Sequence, residues 1–443
     1  MSQLSKGNLE NRSSITLPSS KAFLSPAISF AEKTAIALGL DNREAMAVTL
    51  AIEEIFTYLC GITFENQVIE IIFSGRGHYI AIEIVFSAEK LNIRAFNITS
   101  AISPDDETEM EEMGLLIASR FVDRLRVNYS EDKKYRMLLI KEKAYPDSAE
   151  EPVPSVGNLD NFEIRTPNPE ELKLLSRHIQ YHYRDAFFPS ALHYPGKLVD
   201  MVNGGEYAAM IASDSKGHIG GGIIWHYSEG KTVECWGPYV FDHNPGLGLA
   251  GRLLEDCIAA VAKTPAISLL NRYPVEEFSG DYFELLGTLE IADSSGNTRE
   301  IPSWYRQLNE DLGASIWAPS EIEHYLRLEY DRLFLPREIR LVRYDGESDN
   351  LFSVLSVDFD RSSDSATMHP VQAGRDIAEN LRNHLQLFMK ESVNNLFFEM
   401  DLGIYWHSYF APALVSEGFI PRLILPYGGK GDIVVFQRGG IPE

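Results

Sequence analysis

Residues 145–161 constrain this chain more than any other stretch, because they divide it. Pro146, Pro152, Pro154 and Gly157 stand there among acidic and small residues. Proline removes a backbone donor and glycine adds freedom, so regular structure does not persist through the run and it reads as a linker. The length agrees, since 443 residues exceed the roughly 250–300 that one hydrophobic core serves. A softer break falls near residues 293–303, where Asp293-Ser294-Ser295-Gly296-Asn297 marks a turn. The division expected is therefore 1–144, a linker at 145–161, then 162–300 and 301–443.

Composition excludes several classes. At 44% hydrophobic and 23% charged, the chain is of ordinary globular make-up. A net charge of −24 argues against nucleic acid as a partner and against an anionic lipid surface. No run of about 18 apolar residues is present, and the first twenty residues are polar and Ser-rich, unlike a signal peptide. The cysteines, Cys60, Cys235 and Cys257, match no metal or redox spacing and read as reduced thiols. A cytoplasmic location with no membrane partner is expected.

In the first segment, Asp41 and Glu44 have capping-box spacing. Val48, Ile52, Ile55 and Leu59 then define one buried helical face, with Glu54 and Tyr58 sharing a neighbouring face. Residues 68–73 and 79–86 read as strands around the turn Ser74-Gly75-Arg76-Gly77, and a helix near 114–125 precedes a strand near 135–141. Leu50-Ala51-Ile52-Glu53-Glu54-Ile55-Phe56-Thr57, Gly114-Leu115-Leu116-Ile117 and Arg120-Phe121-Val122-Asp123 resemble the anti-sigma-factor serine kinases of the GHKL superfamily, over about residues 15–143. The resemblance implies a histidine-kinase-like α/β sandwich, a catalytic Glu at Glu54, bound ATP and Mg²⁺, and a protein partner of the sigma-factor-regulator type. The chain departs from that pattern. Tyr58 stands where the family has a metal-binding Asn, and a phenol is a poor Mg²⁺ ligand. Phe86-Ser87-Ala88 replaces D-x-G, and the lid region carries Asp105, Asp106, Glu107, Glu109, Glu111 and Glu112, which would repel a triphosphate. A degenerate docking module is the expectation.

The next segment alternates strand and helix signals: strands at 162–166, 206–213, 218–226 and 232–241, and a helix at 170–183. Asp242-His243-Asn244-Pro245-Gly246-Leu247-Gly248-Leu249-Ala250-Gly251-Arg252 then opens a helix carrying Cys257, Ile258 and Val261. A glycine-rich turn between strand and helix lets backbone N–H groups approach an anion. In this context it resembles the acyl-CoA loop of GNAT N-acyltransferases, Q/R-x-x-G-x-G/A, with Gly248 and Ala250 matching and Pro245 in place of Gln or Arg. The resemblance implies that Tyr239 and Val240 align the thioester of acetyl-CoA. It also implies that Gly246, Leu247, Gly248, Leu249, Ala250 and Gly251 cradle the pyrophosphate, and that a small-molecule or peptide amine accepts the acyl group. Glu234 and His226 are the candidate bases. Phe283 occupies the position of the family's acid Tyr, with Tyr282 beside it and Thr288 in place of the motif Phe. His178, His182 and Asp185 have helical metal-ligand spacing, but with Tyr181, Tyr183, Phe187 and Phe188 they read as core or acceptor-groove residues, and no metal site is expected.

A weak repeat closes the chain. Phe-Glu-Leu-Leu-Gly at 283–287 and Leu-Val-Ser-Glu-Gly-Phe at 414–419 each end a strand–helix–strand pattern. Ser320 and Glu323 have capping-box spacing, strands are expected at 338–344, 351–359 and 396–402, and a helix from Asp376 carries Ile377, Leu381, Leu385 and Phe388. Gln372-Ala373-Gly374-Arg375-Asp376 has the wrong glycine spacing for a phosphate loop, so this copy reads as structural. The fold class expected is α/β (α+β): a GHKL-type sandwich followed by two GNAT-like mixed-sheet domains. Three functions stay open: an acetyl-CoA-dependent N-acyltransferase with a degenerate regulatory module, a noncatalytic docking protein, or a serine kinase acting on an anti-sigma-factor antagonist.

Overall fold

The computed structural model describes residues 11–64, 67–89, 91–100, 113–129, 134–147, 153, 156, 159, 161–184, 186–228, 230–241, 248–292, 297–343, 350–360 and 364–439. The fold is mixed α/β with several sheets. It divides into two compact units. One is Met1–Ala144 with Glu347–Val357 and Pro370–His384; the other is Tyr145–Gly346 with Asp358–His369 and Leu385–Glu443.

The first unit runs β1 (Arg12–Pro18), α1 (Leu24–Ala37), α2 (Asn42–Ile62), β2 (Val68–Gly75), β3 (Tyr79–Phe86), α3 (Met113–Ser119), β4 (Arg124–Tyr129) and β5 (Tyr135–Glu142). The strands form one antiparallel sheet in the order β1-β2-β3-β5-β4. Asp41 caps α2 as its spacing predicts: the Glu44 N–H donates to Asp41 at 2.8 Å and the Glu44 carboxylate accepts from the Asp41 N–H at 3.0 Å. Val48, Ile52, Ile55 and Leu59 are fully buried with Ile69, Ile71, Phe73, Ile82 and Ile84. Each stabilises the unit by ~1.5–3 kcal/mol relative to exposure. By length and composition α2 could cross a bilayer, but here it is the core helix of this unit. The helix expected near 114–125 stops at Ser119, because Leu125 belongs to β4 and pairs with Leu139.

Residues of the C-terminal half complete this unit through a buried polar network. The Asn97 amide donates to the Ser353 carbonyl at 2.9 Å, and its oxygen accepts from the Leu355 N–H at 2.9 Å. Asn380 donates to the same Ser353 carbonyl at 3.0 Å. Each of these buried groups has a partner, which makes the network specific as well as stabilising.

The second unit starts with β6 (Glu163–Arg165), α4 (Pro169–His182), α5 (Pro195–Asn203), β7 (Tyr207–Ser213), β8 (Ile219–Tyr227), β9 (Thr232–Val240), α6 (Leu249–Val261), β10 (Ser268–Asn271), β11 (Glu284–Ala292) and β12 (Thr298–Gln307). Its seven-stranded sheet has the order β11-β12-β10-β9-β8-β7-β6, with β9 and β10 parallel and the other pairs antiparallel. The described part of 145–161 is anchored to this unit: the Tyr145 hydroxyl donates to Asp200, and Leu159 is buried with Leu249 and Ala212. The boundary expected at 300/301 falls inside β12, which pairs with both β10 and β11, so the turn near 293 joins a hairpin instead of two domains. Residues 293–296 themselves lie outside the described residues.

Beyond β12 come β13 (Ala314–Ala318), α7 (Glu323–Arg332), β14 (Arg337–Leu341), β15 (Val354–Asp360), β16 (Ser365–Gln372), α8 (Ile377–Lys390), β17 (Asn395–Asp401), α9 (Ala411–Ser416), β18 (Phe419–Leu425) and β19 (Ile433–Arg438). The Ser320–Glu323 capping box does not form. A 3-10 turn over Ser320–Ile322 makes Ile322 the residue before α7, and the Ser320 hydroxyl turns to Glu321. The last sheet has the order β15-β16-β17-β19-β18, with β16 and β17 parallel around α8. This repeats β8-β9-β10-β12-β11, whose parallel pair encloses α6, and the pairing senses of the last three strands match as well.

Candidate functional site

The parallel pair at the centre of the seven-stranded sheet is joined at one end only. β9 pairs with β8 along its length, from Tyr227↔Val233 to Gly221↔Val240. With β10 it pairs only at Thr232, Val233 and Glu234. Past that point the Asn271 side chain spans the parting strands by donating to the Gly237 carbonyl at 3.0 Å. Successive amides of a strand point to opposite sides. The Phe241 N–H donates to Gly220 on β8 at 2.8 Å, so the Val240 N–H turns to the parted side. There the Tyr183 hydroxyl accepts it at 2.7 Å. The same oxygen lies 2.8 Å from Glu277 Oε1, to which it donates, and 3.1 Å from the Val240 carbonyl.

Gly220 and Gly221 explain why α6 lies close to this sheet, whereas a Cβ on Gly222 would meet Leu175 of α4. A Cβ on Gly221 would stand 2.5 Å from the Tyr239 carbonyl and 3.2 Å from the Leu249 side chain, and one on Gly220 would meet Leu159. Leu249 and Leu253 fill the space that these two glycines leave, and Leu254, Cys257 and Val261 continue the same buried stripe. Gly248, just before α6, is left-handed at φ 58° and offers no side-chain cap. A Cβ there meets nothing within 4 Å among the described residues. The first-turn N–H groups of Leu249, Ala250 and Gly251 have no partner within the helix. The Leu249 side chain is core, so its contribution to a ligand is its N–H alone. Gly246 and Leu247, like the rest of 242–247 with Pro245, lie outside the described residues, as does Asp185.

An aromatic wall flanks the parted edge. Tyr183 meets Tyr239 edge-on at 4.9 Å, and Phe241 stacks with His178 at 4.9 Å and with His182 at 5.4 Å. Burial, then the charges of His182 and Arg177, lowers His178 to about 4, so its ring is neutral at pH 7. Burial also holds the Tyr183 phenol above its ordinary value. The Tyr239 hydroxyl is buried with no hydrogen-bond partner among the described residues.

The other candidates stand elsewhere. Glu234 is held by both arms of the Arg272 guanidinium, at 2.7 and 3.0 Å, and Arg272 also reaches Glu399 at 3.1 Å. His226 sits across from Glu234 with its ring against Tyr207. Glu234 is six residues down β9 from Val240, about 20 Å at ~3.3 Å per residue, and His226 stands opposite it on β8, so both are too far for proton transfer at the parted end. Tyr282 is exposed and its hydroxyl is engaged by Glu255 of α6 at 3.2 Å, while Phe283 is buried beside Phe278. In the first unit the Glu54 carboxylate lies over Gly114, where a Cβ would be 2.5 Å from it. The Tyr58 hydroxyl donates to the Asn92 carbonyl at 3.0 Å and accepts its N–H at 3.2 Å, so Tyr58 organises the chain after β3. The acidic residues 105–112 lie outside the described residues.

The sequence placed Tyr183 in a core or an acceptor groove and did not show its bond to β9 or to Glu277. The pair Glu276-Glu277 shortly after β10 is the one signal the sequence offers.

No family model matches the chain, and no curated protein does. Solved structures align with about a third of it. An acetyltransferase of the GNAT family from Staphylococcus aureus Mu50 is 17% identical, over 34% of this chain and 100% of its own, with a TM-score of 0.26. The aminoglycoside 6'-N-acetyltransferase from Enterococcus faecium is 14% identical, over 33% and 98%, with a TM-score of 0.27. A GNAT-superfamily phosphinothricin acetyltransferase from Sinorhizobium meliloti, solved with AcCoA, is 16% identical, over 34% and 89%, with a TM-score of 0.26.

Proposed function

We propose that residues 162–307 form an acyl-CoA-dependent N-acyltransferase module of the GNAT type. The observation that carries this reading is the parting of β9 and β10 beyond Glu234, next to the start of α6. A thioester carbonyl needs an N–H donor, and Val240 has one on the parted edge. A pyrophosphate needs several donors with no side chain in the way, and the first turn of α6 behind Gly248 supplies them. The chemistry that acetyl-CoA brings is an activated acyl group; the chain's part is to orient it and to admit an amine along the wall of Tyr183, Tyr239 and Phe241. The neutral imidazole of His178 and the ring of His182 face that wall, whereas Glu234 serves the fold through Arg272.

The recurrence of the strand order supports a second, degenerate copy in the C-terminal part. The first unit is a docking module for a protein partner in this reading, supported by Tyr58, whose hydroxyl is engaged by Asn92. The unpaired thiols of Cys60, Cys235 and Cys257 suit the cytoplasm. A noncatalytic regulator is the second reading, favoured by one observation: a side chain of the protein already uses the Val240 amide.

Thermal unfolding with acetyl-CoA, CoA, ATP–Mg²⁺ and ADP separates these readings. A ligand at 100 times its Kd stabilises the native state by ~2.7 kcal/mol. Acetyl-CoA and CoA should raise the midpoint, and Gly248→Val should abolish both shifts. No shift with either acetyl-CoA or CoA leaves the regulator.

A further inference from the structure

Resting on that reading, we propose that Tyr183 is a displaceable cap on the Val240 amide which yields to an acyl thioester and not to free CoA. Tyr183 directly follows α4, with its own N–H bonded to Ile179 at 2.9 Å and its backbone already out of the helical range. Its ring can therefore swing without unwinding the helix. Its hydroxyl accepts from Val240 at 2.7 Å and has one proton for Glu277 or the Val240 carbonyl, and Glu277 is the nearer. The hydroxyl so occupies the place of a carbonyl acceptor on the strand edge.

An amide on a parted strand loses free energy when left without an acceptor. Tyr183 withdraws at little cost only when another acceptor replaces it. A thioester carbonyl is such an acceptor; the thiol of CoA is a weak one. Acetyl-CoA must therefore displace the cap, whereas CoA binds with the cap in place. After acyl transfer the hydroxyl can return to Val240, which makes Tyr183 a specificity-determining residue that distinguishes substrate from product.

Tyr239-Val240 is the one Tyr–Val pair in the sequence, so carbonyl-¹³C tyrosine with ¹⁵N valine isolates the Val240 amide in the full chain. In the wild type this signal should move with acetyl-CoA and stay with CoA. Tyr183→Phe should shift the unliganded signal, speed its solvent exchange, and tighten acetyl-CoA roughly threefold to tenfold, the equivalent of one hydrogen bond, with CoA unchanged. Glu277→Gln, which keeps shape and loosens the hydroxyl, should do the same to a smaller degree and guards against misfolding of Tyr183→Phe. If both ligands bind but the ratio of their affinities and the Val240 signal are the same in all three proteins, the cap is wrong and the acyltransferase reading stands. If neither ligand binds any of the three, both fail together.

Discussion

Gly248 and Gly374 each stand just before the helix enclosed by a parallel strand pair, and their surroundings are opposite. A Cβ at Gly248 meets no atom within 4 Å among the described residues. A Cβ at Gly374 would lie 2.1 Å from the Phe352 carbonyl carbon and 2.2 Å from the Ser353 nitrogen. Around Gly374 the chain closes on itself: Arg375 N–H donates to the Asn350 carbonyl at 3.1 Å, Gln372 to the Phe352 carbonyl at 2.9 Å, and Asp376 accepts the Ser353 N–H. A strand order can recur while the openness of the loop before the enclosed helix does not. What decides is whether the chain has already used the donors of the loop.

The largest expected effect tests that difference directly. Gly374→Ala sets a side chain against backbone that cannot rotate away, and should cost about 3 kcal/mol or more of stability in urea unfolding. Gly248→Ala carries only the strain of a left-handed residue, ~1 kcal/mol, and its cost should appear in acetyl-CoA affinity instead. Equal stability losses at the two sites would mean that the two loops are equally closed.

Much of this framework was legible in the sequence, for reasons that show where legibility stops. The buried face of α2, the Asp41 cap, the strand over 232–240 and the apolar stripe of α6 are written in local spacing, which periodicity reads. The hairpin of β11 and β12 is not, because Asp-Ser-Ser-Gly-Asn serves a hairpin or a domain joint equally well and only the pairing with β10 decides. Ser320 failed as a cap because an extra 3-10 turn moved the helix start past it. Tyr183 on Val240 was beyond reach, since the two are far apart in sequence and neither residue type announces the bond.

A middle-sized effect asks what the two regions share. His178 lies near the parted edge and His407 beside the Asp401 N–H, which it accepts at 3.2 Å. Burial first, then neighbouring positive charge, lowers them to about 4 and about 3. An unfolded histidine titrates near 6.5. Between those values the unfolded chain binds more protons than the native one, so stability is full above about pH 6.5 and falls as the pH drops towards 4 and then 3. Each ring should contribute about 1–2 kcal/mol of loss between pH 7 and pH 5. His178→Phe and His407→Gln should each flatten the acid limb of a denaturation series by a similar amount, because the cause is burial in both regions. A flattening confined to His178 would tie the effect to the candidate site and separate the regions further.

The smallest expected effect is zero, and it extends the comparison to the first unit. There the Tyr58 hydroxyl is engaged by the chain's own backbone, as the donors around Gly374 are. Its hydroxyl bonds both the carbonyl and the N–H of Asn92, so it is engaged by the backbone and is not free to become a metal ligand. Glu54 remains on the adjacent face, but a carboxylate alone does not position a phosphate. Full-length protein incubated with radiolabelled ATP and Mg²⁺ should release or transfer no phosphate above the level of Glu54→Gln. Tyr58→Asn should restore none, because it also removes the bond that organises the chain at Asn92, and it should lower stability by about 1 kcal/mol. Turnover in the wild type that depends on Glu54 would show that filling a place with the chain's own side chain does not abolish its chemistry. The same inference about Gly374 would then have to be withdrawn.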